Sequence, residues 1–260
     1  MGPHPHMITL GIDIGSRNTK IVIFDPQKRS LVFSGCVATE VNPLRSVENL
    51  LVRAEDQTGL KDFAAAACTG YGRKLWKTKA RVLSEISCHA AGVLYYQPEA
   101  KTIIDIGGQD SKIITVSGEG KVSDFVMNDK CAAGTGRFLE MTALRLDCSL
   151  DELSSLAAAS SLVLDISSTC VVFAESEIVG MVADNSAPAD IARAVHNSIA
   201  ERILTQISAL EYQPPVVFTG GVALNADLVG CLSRQLDTPI SVPPSPELTG
   251  ALGAAILAAQ

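Results

Sequence analysis

The apolar positions of this chain fall into short β-rich runs near its beginning. Ile8–Ile14 (I-T-L-G-I-D-I) is the first such run and ends at a glycine turn. Lys20–Phe24 and Leu31–Val37 follow it, separated by the polar stretch Asp25–Ser30. Three consecutive runs of this kind predict a β-meander.

Longer stretches with apolar residues at helical spacing follow the strands. In the first half, the pattern predicts a helix over Val47–Glu55, a small-residue strand over Phe63–Cys68 and a helix over Leu83–Tyr96. In the second half, the predicted helices are Gly136–Leu146, Leu150–Ala159, Val171–Asp184, Ala189–Leu210, Ala223–Gln235 and Glu247–Ala259, and the predicted strands include Lys121–Met127, Val216–Thr219 and Ile240–Val242.

The opening pattern returns in the middle of the chain. Ile12–Ile21 aligns without gaps on Ile104–Ile113, and both copies read I-D-I-G-x-x-x-S/T-K-I. This internal duplication predicts an α/β fold of two halves, each a mixed sheet with helices outside, and a cleft between them. We expect the first half to span residues 7–98, and the second to span 99–260 with a helical insertion over about 136–210. The hinge is expected near Pro98–Lys101.

Composition narrows the class of protein. The chain has 260 residues, a formal charge of −7 and no basic run, which argues against nucleic acid as a partner. It contains no apolar run of about eighteen residues, so no membrane span is predicted. Its seven cysteines are scattered without a C-x-x-C pair, which suits a reducing cytoplasm and disfavours a single-chain zinc or ferredoxin site. Met1–His6 is predicted to be a cloning remnant, with Met7 as the native start.

The paired glycine turns carry the first chemical signal. Turns at Gly15-Ser16 and Gly107-Gly108 can present backbone N–H groups to phosphate oxygens. Asp13 and Asp105 end the strands before these turns, and two carboxylates across a cleft suit Mg²⁺, directly or through water. Two structural hairpins without a ligand are the alternative interpretation.

A third glycine turn lies later in the chain. Phe218–Val222 (F-T-G-G-V) follows a strand and precedes a helix, a geometry that suits a nucleoside or phosphate, although it also fits ordinary strand–helix punctuation. The chain has no G-x-x-x-x-G-K-S/T motif, so it lacks the P-loop pattern.

Two cysteines stand where polar turns lead into predicted helices. Cys131 lies in Asn128–Glu140 (N-D-K-C-A-A-G-T-G-R-F-L-E), and Cys170 ends Ser167–Cys170 (S-S-T-C). The N–H groups at a helix start favour a thiolate or another anion, although a pair of buried free thiols is the other interpretation. Cys36, Cys68, Cys148 and Cys231 have no such setting and are expected in the core.

These motifs resemble known ATPases. The I-D-I-G turns, the T-G-G turn and G-A-L-G-A-A (Gly250–Ala255) are similar to the actin, sugar-kinase and Hsp70 ATPase superfamily. D-I-G-G-Q-D (Asp105–Asp110), Met127–Leu139, Ser167–Glu177 and E-I-S-C-H-A (Glu85–Ala90) resemble the ATP-dependent activators of 2-hydroxyacyl-CoA dehydratases and the related ATPase subunits of benzoyl-CoA reductases. The resemblance covers the chain from about Ile8 onward and implies a duplicated actin-like fold with ribonuclease H-like halves and a nucleotide cleft.

The resemblance also implies roles for individual residues. Cys131 and Cys170 would hold one 4Fe–4S cluster shared across a homodimer axis, and Asp13 and Asp105 would bind Mg²⁺. Gln109 or Asp110 would orient the attacking water. The implied ATP/ADP contacts are Ser16, Arg17, Asn18, Thr19, Lys20, Gly107, Gly108, Gln109, Gly220, Gly221, Asn225 and Glu247. Arg17 and Asn18 stand where the family often has small residues, so the contacts of this loop stay open, and Arg17 could equally reach a phosphate.

The function implied by the resemblance is that of a cytoplasmic homodimer that takes an electron from ferredoxin or flavodoxin. ATP binding and hydrolysis would then drive one electron to a dehydratase or reductase partner. Two alternatives stay open. A small-molecule kinase of the same fold would need a carboxylate base such as Asp110, and a non-catalytic ATP switch would lack a cluster.

Overall fold

The computed structural model describes residues 8–76, 80–168 and 170–260, so the predicted cloning remnant Met1–His6 lies outside it. The described chain divides into two compact units. The first contains the residues up to Ala100, Val116–Val122 and Pro243–Gln260, and the second contains Lys101–Thr115 and Ser123–Val242.

Strands and helices alternate along both units. The strands are β1 (Thr9–Ile14), β2 (Asn18–Asp25), β3 (Ser30–Ala38), β4 (Ala65–Thr69), β5 (Arg81–Val82), β6 (Thr102–Ile106), β7 (Ser111–Val116), β8 (Val122–Asn128), β9 (Val216–Thr219) and β10 (Ile240–Ser241). The helices are α1 (Pro43–Thr58), α2 (Glu85–Tyr96), α3 (Gly136–Arg145), α4 (Leu150–Ala158), α5 (Val171–Ala183), α6 (Pro188–Ile207), α7 (Ala226–Gln235) and α8 (Thr249–Ala258).

The first sheet has the order β3-β2-β1-β4-β5. Its first three strands pair antiparallel, which confirms the predicted meander, and β4 joins β1 in parallel. Every residue of β1 is buried, as expected for a strand that is covered on both faces.

Helix α8 packs against the first sheet because both surfaces are built from small residues. A Cβ added at Gly11 of β1 would lie 1.9 Å from Ala251 O of α8. A Cβ added at Gly253 of α8 would lie 1.7 Å from Cys88 O of α2. These approaches place Pro243–Gln260 in the first unit, whereas the sequence prediction assigned every residue after 98 to the second half.

The second sheet has the order β10-β9-β6-β7-β8 and repeats the arrangement of the first. β6 pairs antiparallel with β7 and parallel with β9. Asp105 is opposite Lys112 on one side and Thr219 on the other, as Asp13 is opposite Lys20 and Thr69 in the first sheet.

The helices of the second unit surround α6. Ile191, Val195, Ile199 and Ile203 recur every four residues on α6 and are fully buried, which is the apolar stripe of a helix that faces the core. Three helices, α2, α7 and α8, begin two or three residues later than predicted. A 3₁₀ turn at Gly221–Leu224 precedes α7, and another at Pro246–Leu248 precedes α8.

The predicted fold class is therefore confirmed: the chain is an α/β protein with two mixed, similarly ordered sheets. The cleft between the halves stays a prediction. None of the helices in the described ranges has the length and apolar character that crossing a bilayer requires.

Candidate functional site

The first glycine turn joins β1 to β2. Gly15 N–H donates to Asn18 O at 3.1 Å. Thr39, just past β3, donates its hydroxyl to Gly15 O at 2.8 Å and lies 2.9 Å from the Thr19 hydroxyl. Because the Thr39 proton is already used, Thr19 donates in that second contact. Thr19 is thus buried inside the fold, whereas Arg17 and Asn18 expose their side chains to solvent.

Asp13 and Lys20 face each other across this turn. Lys20 Nζ lies 3.0 Å from Asp13 Oδ2, and the lysine side chain is 16% exposed. Ser16 is half-buried. The first turn therefore places an accessible cation next to a glycine turn, a combination that suits a phosphate.

The second glycine turn has the same backbone but different charges. Gly107 N–H donates to Asp110 O at 2.9 Å, as Gly15 does to Asn18. Lys112 Nζ lies 3.1 Å from Asp105 Oδ2 and 2.6 Å from Asp110 Oδ2, and its side chain is only 2% exposed. This lysine is buried between two carboxylates.

Gln109 and Asp110, the two residues predicted to orient water, differ in their surroundings. Asp110 Oδ2 is already engaged in the ion pair with Lys112. Asp110 also packs against Gly107, where an added Cβ would lie 2.4 Å from Asp110 Oδ1. Gln109 exposes its side chain, so the geometry favours Gln109 over Asp110 for that role. The Gly108 position is half-buried next to it.

A second pair of equivalent turns follows β4 and β9. The sequence indicates a glycine turn at Phe218–Val222, but its equivalence to the turn at Gly70 was not recognised. Gly70 follows Thr69 and has φ +90°, and Gly220 follows Thr219 and has φ +87°. A Cβ at Gly70 would lie 2.3 Å from Asp13 Oδ1, and one at Gly220 would lie 2.7 Å from Asp105 Oδ1. The Thr-Gly dipeptide that ends β4 and β9 was the available signal. The duplication therefore includes these two Thr-Gly turns, each of which packs against the aspartate of its own unit.

The predicted contacts that follow Gly220 differ in accessibility. Gly221 is exposed, and a Cβ there would meet no atom within 4 Å. Asn225 is buried. Its Oδ1 accepts Leu228 N–H at 3.0 Å and caps α7, and its Nδ2 lies 3.1 Å from His196 Nε2. Both ends of the Asn225 amide are used within the fold, which argues for a structural role rather than the predicted nucleotide contact.

His196 links Asn225 to a buried carboxylate. Because Asn225 Nδ2 is a donor, His196 Nε2 accepts, and Nδ1 donates to Asp227 Oδ2 at 2.6 Å. Arg193 Nη2 lies 2.7 Å from Asp227 Oδ1. Burial raises the pKa of Asp227, but the hydrogen bond from His196 and the charge of Arg193 outweigh it and lower the pKa.

Glu247 lies in the 3₁₀ turn before α8 and is half-buried. It belongs to the first unit, whereas Gly221 and Asn225 belong to the second. Its predicted nucleotide contact stays a prediction.

Cys131 is held by one neighbouring side chain. Asn128 Oδ1 accepts Cys131 N–H at 3.0 Å, and Asn128 Nδ2 donates to Cys131 O at 2.9 Å. Cys131 precedes a short 3₁₀ turn, Ala132–Gly134, and α3 begins only at Gly136. The predicted helix start at Gly136 is therefore confirmed, and the helical turn that Cys131 itself precedes is the short 3₁₀ turn.

The N–H groups at the start of α3 serve another purpose. Gly136 N–H donates to Gly107 O and Arg137 N–H donates to Gly108 O, both at 2.9 Å. A Cβ at Gly136 would lie 3.1 Å from Gly107 O, so this close approach favours glycine. The second glycine turn is thereby joined to the segment that carries Cys131.

Cys170 stands immediately before α5, as predicted, and its segment is anchored by Glu177. Glu177 Oε1 accepts Ser167 N–H and the Ser167 hydroxyl at 2.9 Å, and Oε2 accepts Ser168 N–H at 3.1 Å. Burial raises the pKa of Glu177, but these hydrogen bonds outweigh it and lower the pKa. Thr169 lies outside the described residues.

The other five cysteines differ from Cys131 and Cys170 in the pKa of the thiol or in their place in the fold. Burial raises the pKa of the Cys68 and Cys88 thiols to about 12 and that of Cys231 to about 11. It also raises the pKa of Cys148. Cys36 was expected in the core but is exposed on β3. Cys131 and Cys170 are both partly exposed.

In residues 8–76, 80–168 and 170–260, no group of three or more His, Cys, Asp or Glu side chains is arranged to hold a metal ion. Asp13 and Asp105 each pair with a lysine instead. A cluster needs four thiolates, so a site that takes Cys131 and Cys170 from each of two chains cannot be complete in one chain. The Mg²⁺ and cluster assignments stay predictions.

Comparison with known proteins gives matches over nearly the whole chain. The family model described as the BadF/BadG/BcrA/BcrD ATPase family matches residues 10–258. The 2-hydroxyisocaproyl-CoA dehydratase activator of Clostridioides difficile is 42% identical over 97% of this chain and 95% of its own length. The activator of lactoyl-CoA dehydratase of Anaerotignum propionicum is 43% identical over 97% of each.

A solved structure agrees with this result. The activator of the 2-hydroxyisocaproyl-CoA dehydratase from Clostridium difficile with bound ADPNP superimposes with a TM-score of 0.91 and 41% identity. The match covers 97% of this chain and 94% of that one.

Proposed function

This chain belongs to the BadF/BadG/BcrA/BcrD ATPase family, and from that premise we propose that it hydrolyses ATP to drive one-electron transfer to a 2-hydroxyacyl-CoA dehydratase. The observation that carries the proposal is the near full-length identity of 42–43% to two proteins named as activators of such dehydratases. The two relatives act on different acyl-CoA dehydratases, so the substrate class is supported but the acyl group is left open.

Nucleotide binding is supported by the first glycine turn. The partly exposed Lys20 pairs with Asp13 at this turn, and the related structure was solved with bound ADPNP. Lys20 and the turn would bind phosphate oxygens, and Gln109 would orient water at the second turn. Mg²⁺, which Asp13 and Asp105 would hold directly or through water, would neutralise phosphate charge.

A 4Fe–4S cluster fits the donor set at Cys131 and Cys170. Both thiols are partly exposed, and each lies in a segment fixed by a side chain, Asn128 in one case and Glu177 in the other. Two chains related by a two-fold axis would supply the four thiolates. When bound, such a cluster would supply one-electron transfer at low potential.

The homodimer in this proposal is supported by the surface of α5. This helix follows Cys170 directly, and it exposes large apolar side chains that a second copy could cover. Their exposed fractions are 67% for Val172, 68% for Phe173, 48% for Val179 and 46% for Val182. Pairing at this face would bring the two copies of Cys170 toward one axis.

The rest of the reaction cycle follows from what such a coupling requires. Ferredoxin or flavodoxin would supply the electron, and ATP would drive the change because it binds two conformations with different affinity. A benzoyl-CoA-type reductase is the other partner considered. The kinase alternative is weakened because Asp110, its candidate base, is paired with Lys112.

Anaerobic purification tests the proposal. We expect the wild-type protein to hold about four irons per dimer and to activate a 2-hydroxyacyl-CoA dehydratase only with ATP. Cys131→Ser and Cys170→Ser should each lose the iron and the activation. The matched control is Cys148→Ser, another partly exposed thiol, which should retain both. Full activation by Cys131→Ser would refute the assignment.

A further inference from the structure

One face of α6 contacts the segments of both candidate cysteine ligands. Arg202 Nη2 donates to Ser168 O at 3.1 Å, two residues before Cys170. The aliphatic part of Arg202 also borders Gly134, three residues after Cys131. The Arg202 Cβ and Cδ lie 3.8 Å from the position of a Cβ added at Gly134. Arg202 therefore lies between the two segments.

The next turn of α6 reaches the second glycine turn. Ser111 Oγ, next to Asp110, lies 3.1 and 3.2 Å from the two ends of the Gln206 amide. Gln206 Nε2 lies 3.9 Å from the same added Cβ at Gly134. Residues four apart lie on one face of a helix, so Arg202 and Gln206 form one continuous contact surface.

Arg202 has a buried polar atom that the fold leaves unsatisfied. Its Nε is buried and has no hydrogen-bond partner among the residues that the structure describes. A buried N–H without a partner costs about 1–3 kcal/mol, so such a group is expected to have an acceptor in the working state. The Nε lies in the side chain between Cδ, at Gly134, and Nη2, at Ser168 O.

We infer that Arg202 is a positioning residue that, together with Gln206, holds the Cys131 and Cys170 segments at a fixed separation. Its Nε–H would then donate to a sulfur of the cluster that these two cysteines would hold. The inference rests on the proposed function for the identity of that acceptor. Hydrogen bonds to cluster sulfurs and nearby positive charge stabilise the more reduced state. Gln206 ties this brace to Ser111 and hence to the second glycine turn.

The first experiment uses the anaerobically purified dimer. Arg202→Met removes the charge and the N–H donors, and Arg202→Lys keeps the charge alone. We expect Arg202→Met to lose iron to a chelator about tenfold faster than wild type and to show a more negative midpoint potential by EPR-monitored titration. Arg202→Lys should fall between them. Glu201→Gln, an exposed position on the same helix, should match wild type. Wild-type iron retention and potential in Arg202→Met would overturn the inference.

A second measurement does not depend on iron. In apo protein, the brace predicts that Arg202→Met and Gln206→Met increase the rates at which maleimide alkylates Cys131 and Cys170 several-fold, relative to Cys148 in the same sample. Peptide mass mapping gives each rate, and circular dichroism confirms that the variants are folded. Unchanged rates in both variants would refute the brace. If Arg202→Met does not fold, Arg202→Lys and Gln206→Met carry both measurements.

The two arms separate failure of this inference from failure of the proposed function. A wild-type protein that holds no iron under nitrogen would refute the cluster, and with it the role of Arg202 Nε–H, while the alkylation rates would still decide whether Arg202 and Gln206 fix the two segments.

Discussion

The two glycine turns share a backbone but differ in what they do with their lysine. Each turn closes with the same hydrogen bond, from Gly15 to Asn18 and from Gly107 to Asp110. Lys20 pairs with Asp13 and keeps access to solvent. Lys112 is buried between Asp105 and Asp110, because an aspartate stands where the first copy has an asparagine.

That one difference separates the chemistry of the turns. In the first turn, one lysine, Lys20, pairs with one carboxylate, Asp13, and stays partly exposed. In the second, two carboxylates surround one lysine, so the local charge is negative. The second turn also accepts the N–H groups that begin α3. The same backbone thus carries a partly exposed lysine in one copy, and a buried lysine and the anchor for α3 in the other.

The sharpest test replaces the two lysines by methionine. Lys112→Met would remove the lysine from the buried Asp105 and the partly exposed Asp110, and we expect the free energy of unfolding to fall by about 3–5 kcal/mol. Lys20→Met should cost less stability and should mainly weaken ATP binding. Urea denaturation and calorimetric titration with ATP measure the two effects. Equal losses of stability would show that the turns do not differ as described.

The comparison extends to the connections that follow β4 and β9. After β9, Asp227 is buried against His196 and Arg193, whereas after β4 Arg73 pairs with the half-buried Glu85 at 3.1 Å. Asp227→Asn should lower the free energy of unfolding at pH 7 by about 1.5–3 kcal/mol. The control Glu85→Gln should cost up to about 1 kcal/mol.

The Asp227 effect should depend on pH with a defined sign. The folded-state pKa of Asp227 is lowered, so its contribution is fully present above the unfolded pKa of about 3.9 and is lost as pH falls through the folded-state value. Denaturation of wild type and Asp227→Asn between pH 7 and pH 3 should show the difference shrinking in acid. A difference that grew in acid would contradict the assignment.

The smallest expected effect concerns the two Thr-Gly turns that follow β4 and β9. Gly70→Ala and Gly220→Ala would each push a Cβ to 2.3 Å from an oxygen, Asp13 Oδ1 or Ile106 O. We expect each to cost about 1–3 kcal/mol by overpacking and to reduce ATPase activity. Gly59→Ala is a matched control, since Gly59 also has positive φ but has open space around an added Cβ. Thermal unfolding measures the loss of stability in each variant, and the excess over Gly59→Ala is the steric contribution of the Thr-Gly turns.

Much of the fold could be predicted from the sequence because it follows local patterns. The strands β1, β2 and β9 and the helices α3 to α6 lie within a few residues of their predicted positions. The repeat around Asp13 and Asp105 predicted two similar halves, and the strands around both aspartates pair in the same way. These features depend on neighbours in sequence, where periodicity and turn residues are informative.

Packing between distant segments decided the rest. The sequence identifies the duplication, the family motifs and the two cysteines that differ from the others. Only the tertiary structure decided that α8 joins the first unit and that Asn225 is hydrogen-bonded to His196. It also decided that the first N–H groups of α3 bind the second glycine turn and that Arg202 lies between the two cysteine segments. The reason is physical. Each of these contacts joins residues far apart in the chain, and the spacing of residues along a sequence carries no record of which distant groups share a hydrogen bond.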